Sequence, residues 1–288
     1  MRKRDGTPSS RQTKQSLFCL VILLLAFTGC TSGQKHVDMI EGDSPLNIRF
    51  KPQVGQKEVT DYKYHSLTRT TNKGQVNFER EEDLTFSVQA EVLSERTESE
   101  ITVYDYAMET LRKDGQENLN NMAFPELGEK IVWTLNDRTQ VLKVANKLPG
   151  SIFYVPLIPI PDKPIKVGDT WESLYHWNAS NSQLKMVLEL TTLLKSHFRC
   201  QKSHECIELQ YSGEVNPSEA RLVGVGMKSV LEGTMVYDLT ASAIVMSKTN
   251  NSEEIAQDSS SVEVKSCIVS TIQSISDYSL PFDKSSCP

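Results

Sequence analysis

Hydrophobic and polar positions alternate along most of the chain. Across 83–93 (DLTFSVQAEVL), Phe86, Val88 and Ala90 fall on one side while Thr85, Ser87 and Gln89 fall on the other. This period of two sets one face of a strand against a core and the other in water. Segments rich in β-branched and aromatic residues recur at 100–109, 130–135, 140–145, 206–213, 233–239, 242–249 and 261–275, between turn signals. Asn136-Asp137 and Thr240-Ala241 are expected hairpin turns. The segment 184–194 (LKMVLELTTLL) suits a strand or a helix, and 109–121 is the best helix candidate. The pattern predicts a mainly β fold of antiparallel sheets with little helix.

One stretch interrupts the alternation. Between 155 and 165 (VPLIPIPDKPI) prolines stand at 156, 159, 161 and 164. Prolines this dense cannot lie in a central strand and hold the chain in an extended, polyproline-like form. Residues 151–164 therefore read as a connection between a first β unit, 46–150, and a second, 165–288. The two units open alike. Lys51-Pro52-Gln53-Val54-Gly55 and Lys163-Pro164-Ile165-Lys166-Val167-Gly168 are each followed by an aromatic stretch, Tyr62 to His65 and Tyr175 to Trp177. Near their ends, 130–144 and 234–248 share a strand–turn–strand pattern at an offset of 104 residues. We expect two related β halves, arranged as a half-barrel or a sandwich. The opening of the second half, Val167-Gly168-Asp169-Thr170-Trp171, resembles a Val-Gly-Asp-x-Trp pattern of uncharacterised exported bacterial β-proteins. There the pattern opens a strand and serves structure, with glycine at positive φ and tryptophan burying its ring.

The N-terminus has a different texture. Arg2, Lys3, Arg4, Arg11 and Lys14 face a single acid, Asp5, and an apolar run follows at 17–27 (LFCLVILLLAF). A basic head, a short apolar core and small residues after it describe a secretory signal peptide. The run is too short for a hydrocarbon core, which needs about 20 residues. Phe27-Thr28-Gly29-Cys30 resembles the lipobox of bacterial lipoproteins, departing from its commonest form at Phe27, where leucine is usual. The resemblance implies cleavage of 1–29 and lipid on Cys30, with 30–45 as a flexible tether. One acyl chain anchors only marginally, and the two or three chains of the lipoprotein family suffice. Proteobacterial members with aspartate after the cysteine tend to stay at the inner membrane. Thr31 stands there, so the resemblance implies an outer-membrane destination in a host of that kind.

Charge and cysteines then narrow the role. Without 1–29, the 31 basic residues lose five and the 37 acidic residues lose one, so the formal charge moves from −6 to about −10. That balance argues against nucleic acid and against polybasic contact with anionic lipid. Beyond Cys19 and Cys30, the cysteines are Cys200, Cys206, Cys267 and Cys287. An even number in an exported chain favours disulfides, and four thiols allow three connectivities. Cys200–Cys206 is favoured, because QKSHE between them reads as a hairpin tip; Cys267–Cys287 would then pin the C-terminus. A zinc site on Cys200, His204 and Cys206 lacks a clear fourth ligand.

No GxSxG, HExxH, Walker or EF-hand pattern occurs. Gly224 to Ser229 has the wrong spacing for a phosphate loop, and His36, His65, His176, His197 and His204 are not at metal-ligand spacing. Neither a catalytic residue, a metal nor a cofactor is expected. The sequence indicates a lipid-anchored envelope protein, and a non-catalytic binding or carrier module fits it best. By fold-level analogy with lipid-carrying half-barrels, an apolar or lipid ligand is the expected partner. A scaffold that docks another envelope protein is the alternative, and an envelope hydrolase is third. Replacing Cys30 by Ser should move the protein from the membrane to the soluble fraction; fractionation with mass analysis of the N-terminal peptide checks this, and continued membrane attachment refutes the lipid assignment.

Overall fold

Pairing of the alternating segments is described by a computed structural model for residues 37–40, 44–179, 184–201, 203–218, 225–273 and 287. The strands are β1 (Asp38–Met39), β2 (Lys57–Asn72), β3 (Gln75–Glu98), β4 (Ile101–Asp114), β5 (Lys130–Asn136) and β6 (Val141–Val144). They continue with β7 (Thr170–Asn178), β8 (Lys185–Arg199), β9 (Glu205–Pro217), β10 (Val225–Asp238), β11 (Ala243–Gln257) and β12 (Ser260–Ile272). All twelve belong to one sheet in the order β1-β8-β9-β10-β11-β12-β2-β3-β4-β5-β6, with β7 beside β1 on the free side of β8. Every ladder is antiparallel. Strands on either side of the proline-rich connection meet at the β12–β2 ladder, which runs from Ser260↔Asn72 to Ile272↔Thr60.

Residues 184–194 lie almost wholly in β8, and their burial shows why strand prevails over helix. Met186, Leu188, Leu190, Thr192 and Leu194 are buried while Lys185, Glu189, Thr191 and Lys195 are exposed, a period of two. The helix expected over 109–121 is not formed. β4 runs on to Asp114, with Met108 and Thr110 buried on its inner face. Gly115 then turns the chain at φ 125°, and only Leu119–Met122 winds into a 3-10 turn, capped by Asn118 Oδ1 accepting from the Asn120 amide at 2.9 Å. The expected tether also ends earlier than 45. Asp38–Met39 pairs with β8, and the Ile40 amide donates to the His197 carbonyl at 3.0 Å.

Two turns enter the sheet with the same geometry. At 53–56, the Gln56 side-chain oxygen accepts from the Gln53 amide (3.1 Å), Gly55 sits at φ 84°, and its amide donates to the Val92 carbonyl (2.8 Å). At 166–169, Asp169 Oδ2 accepts from the Lys166 amide (2.8 Å), Gly168 sits at φ 93°, and its amide donates to the Leu194 carbonyl (2.8 Å). Beyond each carbonyl the outgoing strand bulges, at Val92/Ser94 and at Leu194/Ser196. The serine after each bulge donates across to a carboxylate, Ser94 to Asp105 (2.8 Å) and Ser196 to Glu208 (3.1 Å). Likewise Asn136 Oδ1 accepts from the amides of Arg138 and Gln140, and Asp238 Oδ1 from those of Thr240 and Ala241. By turn geometry Asn136 corresponds to Asp238, 102 residues on, an offset two residues short of the 104 expected from sequence.

The sheet curls around one face. Residues of β9 and β10 (Tyr211, Met235) and of β4 and β5 (Tyr106, Trp133) border the same space although several strands lie between them in the sheet. Two glycines on the concave face permit the curl: a Cβ at Gly213 would collide with the Glu189 carbonyl, and one at Gly233 with the Lys248 carbonyl. Glycine is the residue that allows such close backbone approach within a strand. Between edge strands β6 and β7 the connection 145–169 crosses the concave side. Phe153 packs on Trp133, whose indole N–H donates to the Phe153 carbonyl at 3.0 Å. Leu46 bridges Ile165, and the Asn178 amide donates to the Gly150 carbonyl. The large apolar clusters, one around Phe86 and Trp133 and one around Ile158, Leu209 and Tyr237, lie on this concave side. A smaller one, with Phe198, Val236 and Val245, lies on the convex face.

Gly213→Ala should cost about 1–3 kcal/mol through overpacking, measured by denaturant unfolding; an unchanged midpoint would show that the curl does not depend on this glycine.

Candidate functional site

Inside the curl lies a cavity of about 380 Å³, partly open to solvent. The period of two builds its walls. On β2 the inward positions are Glu58, Thr60, Tyr62 and Tyr64; on β12 they are Ser266, Ile268 and Ser270. β3 contributes Val88 and Ala90, β4 Tyr106 and Met108, and β5 Trp133 and Leu135. Met122 and Phe124, from the 3-10 turn region, and Leu157 and Ile158, from the proline-rich connection, line it further.

Aromatic rings stiffen one end. Tyr62 stacks on Phe86 at 4.7 Å with the planes 5° apart, and Phe124 meets both edge-on at 4.7 and 5.1 Å. Phe50 packs edge-on against Tyr104 and Tyr106 at 5.5 and 5.9 Å. Such pairs favour offset or edge geometry because the rings carry negative faces and positive edges. Hydroxyls on the opposite wall satisfy one another. Ser247 pairs with Ser270 at 2.7 Å and Tyr211 with Thr249 at 2.6 Å. Thr139 donates to the Ile158 carbonyl at 2.7 Å, and Ser242 accepts from the Lys51 amide at 2.9 Å. A hydroxyl already paired within the wall has less to offer a ligand.

Glu58 differs from all of these. Among the described residues it is the single ionisable carboxyl bordering the cavity, and no described Lys, Arg or His borders it. Gln56, fixed by donating to the Ala241 carbonyl at 2.8 Å, also donates to Glu58 Oε1. Burial raises the Glu58 carboxyl, the Gln56 hydrogen bond lowers it and the charge of Asp238 raises it, leaving it at about 7. Tyr62, Tyr106 and Tyr237 are all pushed above the ordinary phenol range, first by burial and then, in part, by the charge of Glu58. They remain neutral at physiological pH.

Cys30 and His36 lie outside the described residues. Cys200 and Cys206 form a disulfide across the β8–β9 hairpin with Cα atoms 5.6 Å apart, and Cys267 and Cys287 form a second at 5.7 Å. Cys200, Cys206 and Asp238 bring ligand-type atoms within 4.8 Å of one another. The sulfurs are bonded to each other, however, so neither is a thiolate for a metal. His204 instead pairs with buried Asp238, Nδ1 to Oδ2 at 2.6 Å. His65 pairs with Asp83 (3.0 Å) and His197 with Glu205 (3.1 Å). His176 is exposed on β7. Trp171 is half-buried beside Ile158 and Ile165, and its indole N–H donates to the Pro159 carbonyl at 3.1 Å. Sequence reasoning did not single out Glu58. Its trace in the sequence is an acid at the head of the alternating set Glu58, Thr60, Tyr62, Tyr64.

No family model matches the chain, and no curated protein matches it. Among solved structures it is similar to a candidate lipoprotein from Parabacteroides distasonis ATCC 8503, at 9% identity and a TM-score of 0.33 over 78% of this chain and 99% of that one. It is also similar to DynF from the dynemicin biosynthesis pathway of Micromonospora chersina, at 9% identity and a TM-score of 0.20 over 84% and 92%. A third is an outer membrane channel from Pseudomonas putida F1, at 9% identity and a TM-score of 0.23 over 81% and 100%. Likeness at these scores carries no argument about function.

A glutamate whose carboxyl is raised in the folded chain favours the protonated folded state, so its contribution is fully present at low pH. It is lost as pH climbs from the unfolded value, 4.5, to about 7. Between pH 5 and 8 the loss is roughly 2 kcal/mol at about 1.4 kcal/mol per unit. Glu58→Gln should therefore gain stability relative to the parent as pH rises, which urea unfolding at pH 5 and pH 8 measures; a constant difference would show that Glu58 is not buried as described.

Proposed function

We propose that this chain is a lipid-anchored protein of the cell envelope whose curled sheet binds one apolar molecule without catalysis. The observation that carries the reading is the cavity: about 380 Å³, set among core residues, with apolar walls and paired hydroxyls. Small-molecule sites run from about 300 to 1,000 Å³ and combine mostly apolar walls with a few placed polar groups. A cavity of about 150 Å³ already accepts benzene, so this one suits a longer alkyl chain or a fused ring system. The signal sequence and lipobox resemblance support the anchor, and the net acidic charge fits a body held off an anionic surface.

The cavity sits between the two sets of strands, so its walls exist only when both are present. That favours a carrier or binding module over a scaffold with two separate docking faces. Protein purified from native membranes should release an apolar molecule in stoichiometric amount on organic extraction, identified by mass spectrometry, and the stripped protein should take up Nile red. Ala90→Phe, which fills the cavity from β3, should weaken uptake at least tenfold while the β circular dichroism persists. No extractable ligand together with no dye uptake by the parent would overturn the reading.

A further inference from the structure

We infer that Glu58 is the polar anchor of this cavity and that the ligand class it selects is an amphiphilic amine, an apolar chain or ring system ending in an ammonium group. The inference rests on the cavity reading and adds the chemistry of the ligand's polar end.

The Gln56 side-chain nitrogen is committed twice, to the Ala241 carbonyl and to Glu58 Oε1. Among the described residues Gln56 supplies the only hydrogen bond to the Glu58 carboxyl, and no cation pairs with it. The adjacent base Lys57 reaches Glu91 instead, at 3.3 Å. Oε2 therefore has no hydrogen bond among the described residues, in a carboxyl that borders the cavity. A partly desolvated carboxyl gains most from a donor that also brings positive charge.

The groups around it point the same way. Asp238, at the end of β10, adds negative charge; its own oxygens are held by His204 and by the amides of Thr240 and Ala241. Tyr62 on β2, Tyr106 on β4 and Tyr237 on β10 are neutral phenols, and the Tyr237 hydroxyl donates to the Arg49 carbonyl at 3.3 Å. The Arg49 guanidinium faces Asp137, at 3.3 Å. The local field is thus negative. A ligand carboxylate would be repelled, a hydroxyl would gain one hydrogen bond, and an ammonium would gain the charge as well.

The test uses the full chain carrying Cys30→Ser, displacing bound Nile red with dodecylamine, dodecanol or dodecanoic acid below their micelle concentrations. At pH 8 the amine should bind at least tenfold tighter than the alcohol, with the acid weakest. Dodecylamine keeps its charge throughout, while Glu58, near 7, gains its own. Amine affinity should therefore rise about tenfold from pH 6 to pH 8, and alcohol affinity should not. Glu58→Gln should bring the amine down to the alcohol and remove the rise. Equal binding of all three, or tightest binding of the acid, overturns the amine assignment and leaves the cavity reading standing. If Nile red does not bind the parent and no ligand can be extracted from it, both fall together.

Discussion

A sheet of twelve strands offers two faces, and the described residues contain almost no helix to cover either. The sheet must therefore cover itself. Curling brings β9 and β10 opposite β4 and β5, so that one face becomes an interior. Chain left over between edge strands β6 and β7 crosses the open side. Much of the rest follows from this constraint. It explains why Gly213 and Gly233 stand on the concave face, where a side chain would strike backbone. It also gives the prolines a place, because the crossing segment touches a strand-like partner only at the Leu46–Ile165 bridge, so prolines at 156, 159, 161 and 164 interrupt no ladder. A curled surface closed by side chains and one irregular crossing need not pack solid. The cavity is the space that this solution leaves.

Strand content was legible because burial on one face imposes the period of two directly on residue choice. The alternation of Phe86, Val88 and Ala90 survives into the structure as the inner face of β3. Where alternation was present but short, as around 109–114, the sequence also suited a helix. Gly115 and the inward packing of Met108 and Thr110 decided otherwise, and both are tertiary facts. β2 was the costliest omission. Its Tyr-Lys-Tyr-His stretch reads only as an aromatic landmark, because Thr60 on its inner face does not look like a core residue. Thr60 borders the cavity, and no local pattern announces a cavity.

Glu58 was illegible for a related reason. An acid at the start of a strand is ordinarily a solvated end, as Glu205 at the head of β9 is. What makes Glu58 different is the Ala241 carbonyl fixing Gln56 from 185 residues away, together with Asp238 at the end of another strand. The setting of this carboxyl is a product of two segments far apart in sequence.

The repeated geometry sharpens why the carboxyl is there. The turns at 53–56 and 166–169 coincide at an offset of 113, which puts Glu58 at the position of Trp171. Their cross-strand partners correspond too, Ala90 beside Glu58 and Thr192 beside Trp171. In the second set an indole occupies the position and spends its N–H on the Pro159 carbonyl, so that end is filled by its own side chain. In the first, a short acid beside an alanine leaves both room and an acceptor. Two turns of the same geometry thus lead to a ring at one place and to a carboxyl at the other. A framework needing only packing at both places would have been served by apolar residues, since burying a carboxyl without a cation opposes folding. The position of Glu58 is costly to the fold, which is the reason to look for function at this point of the wall.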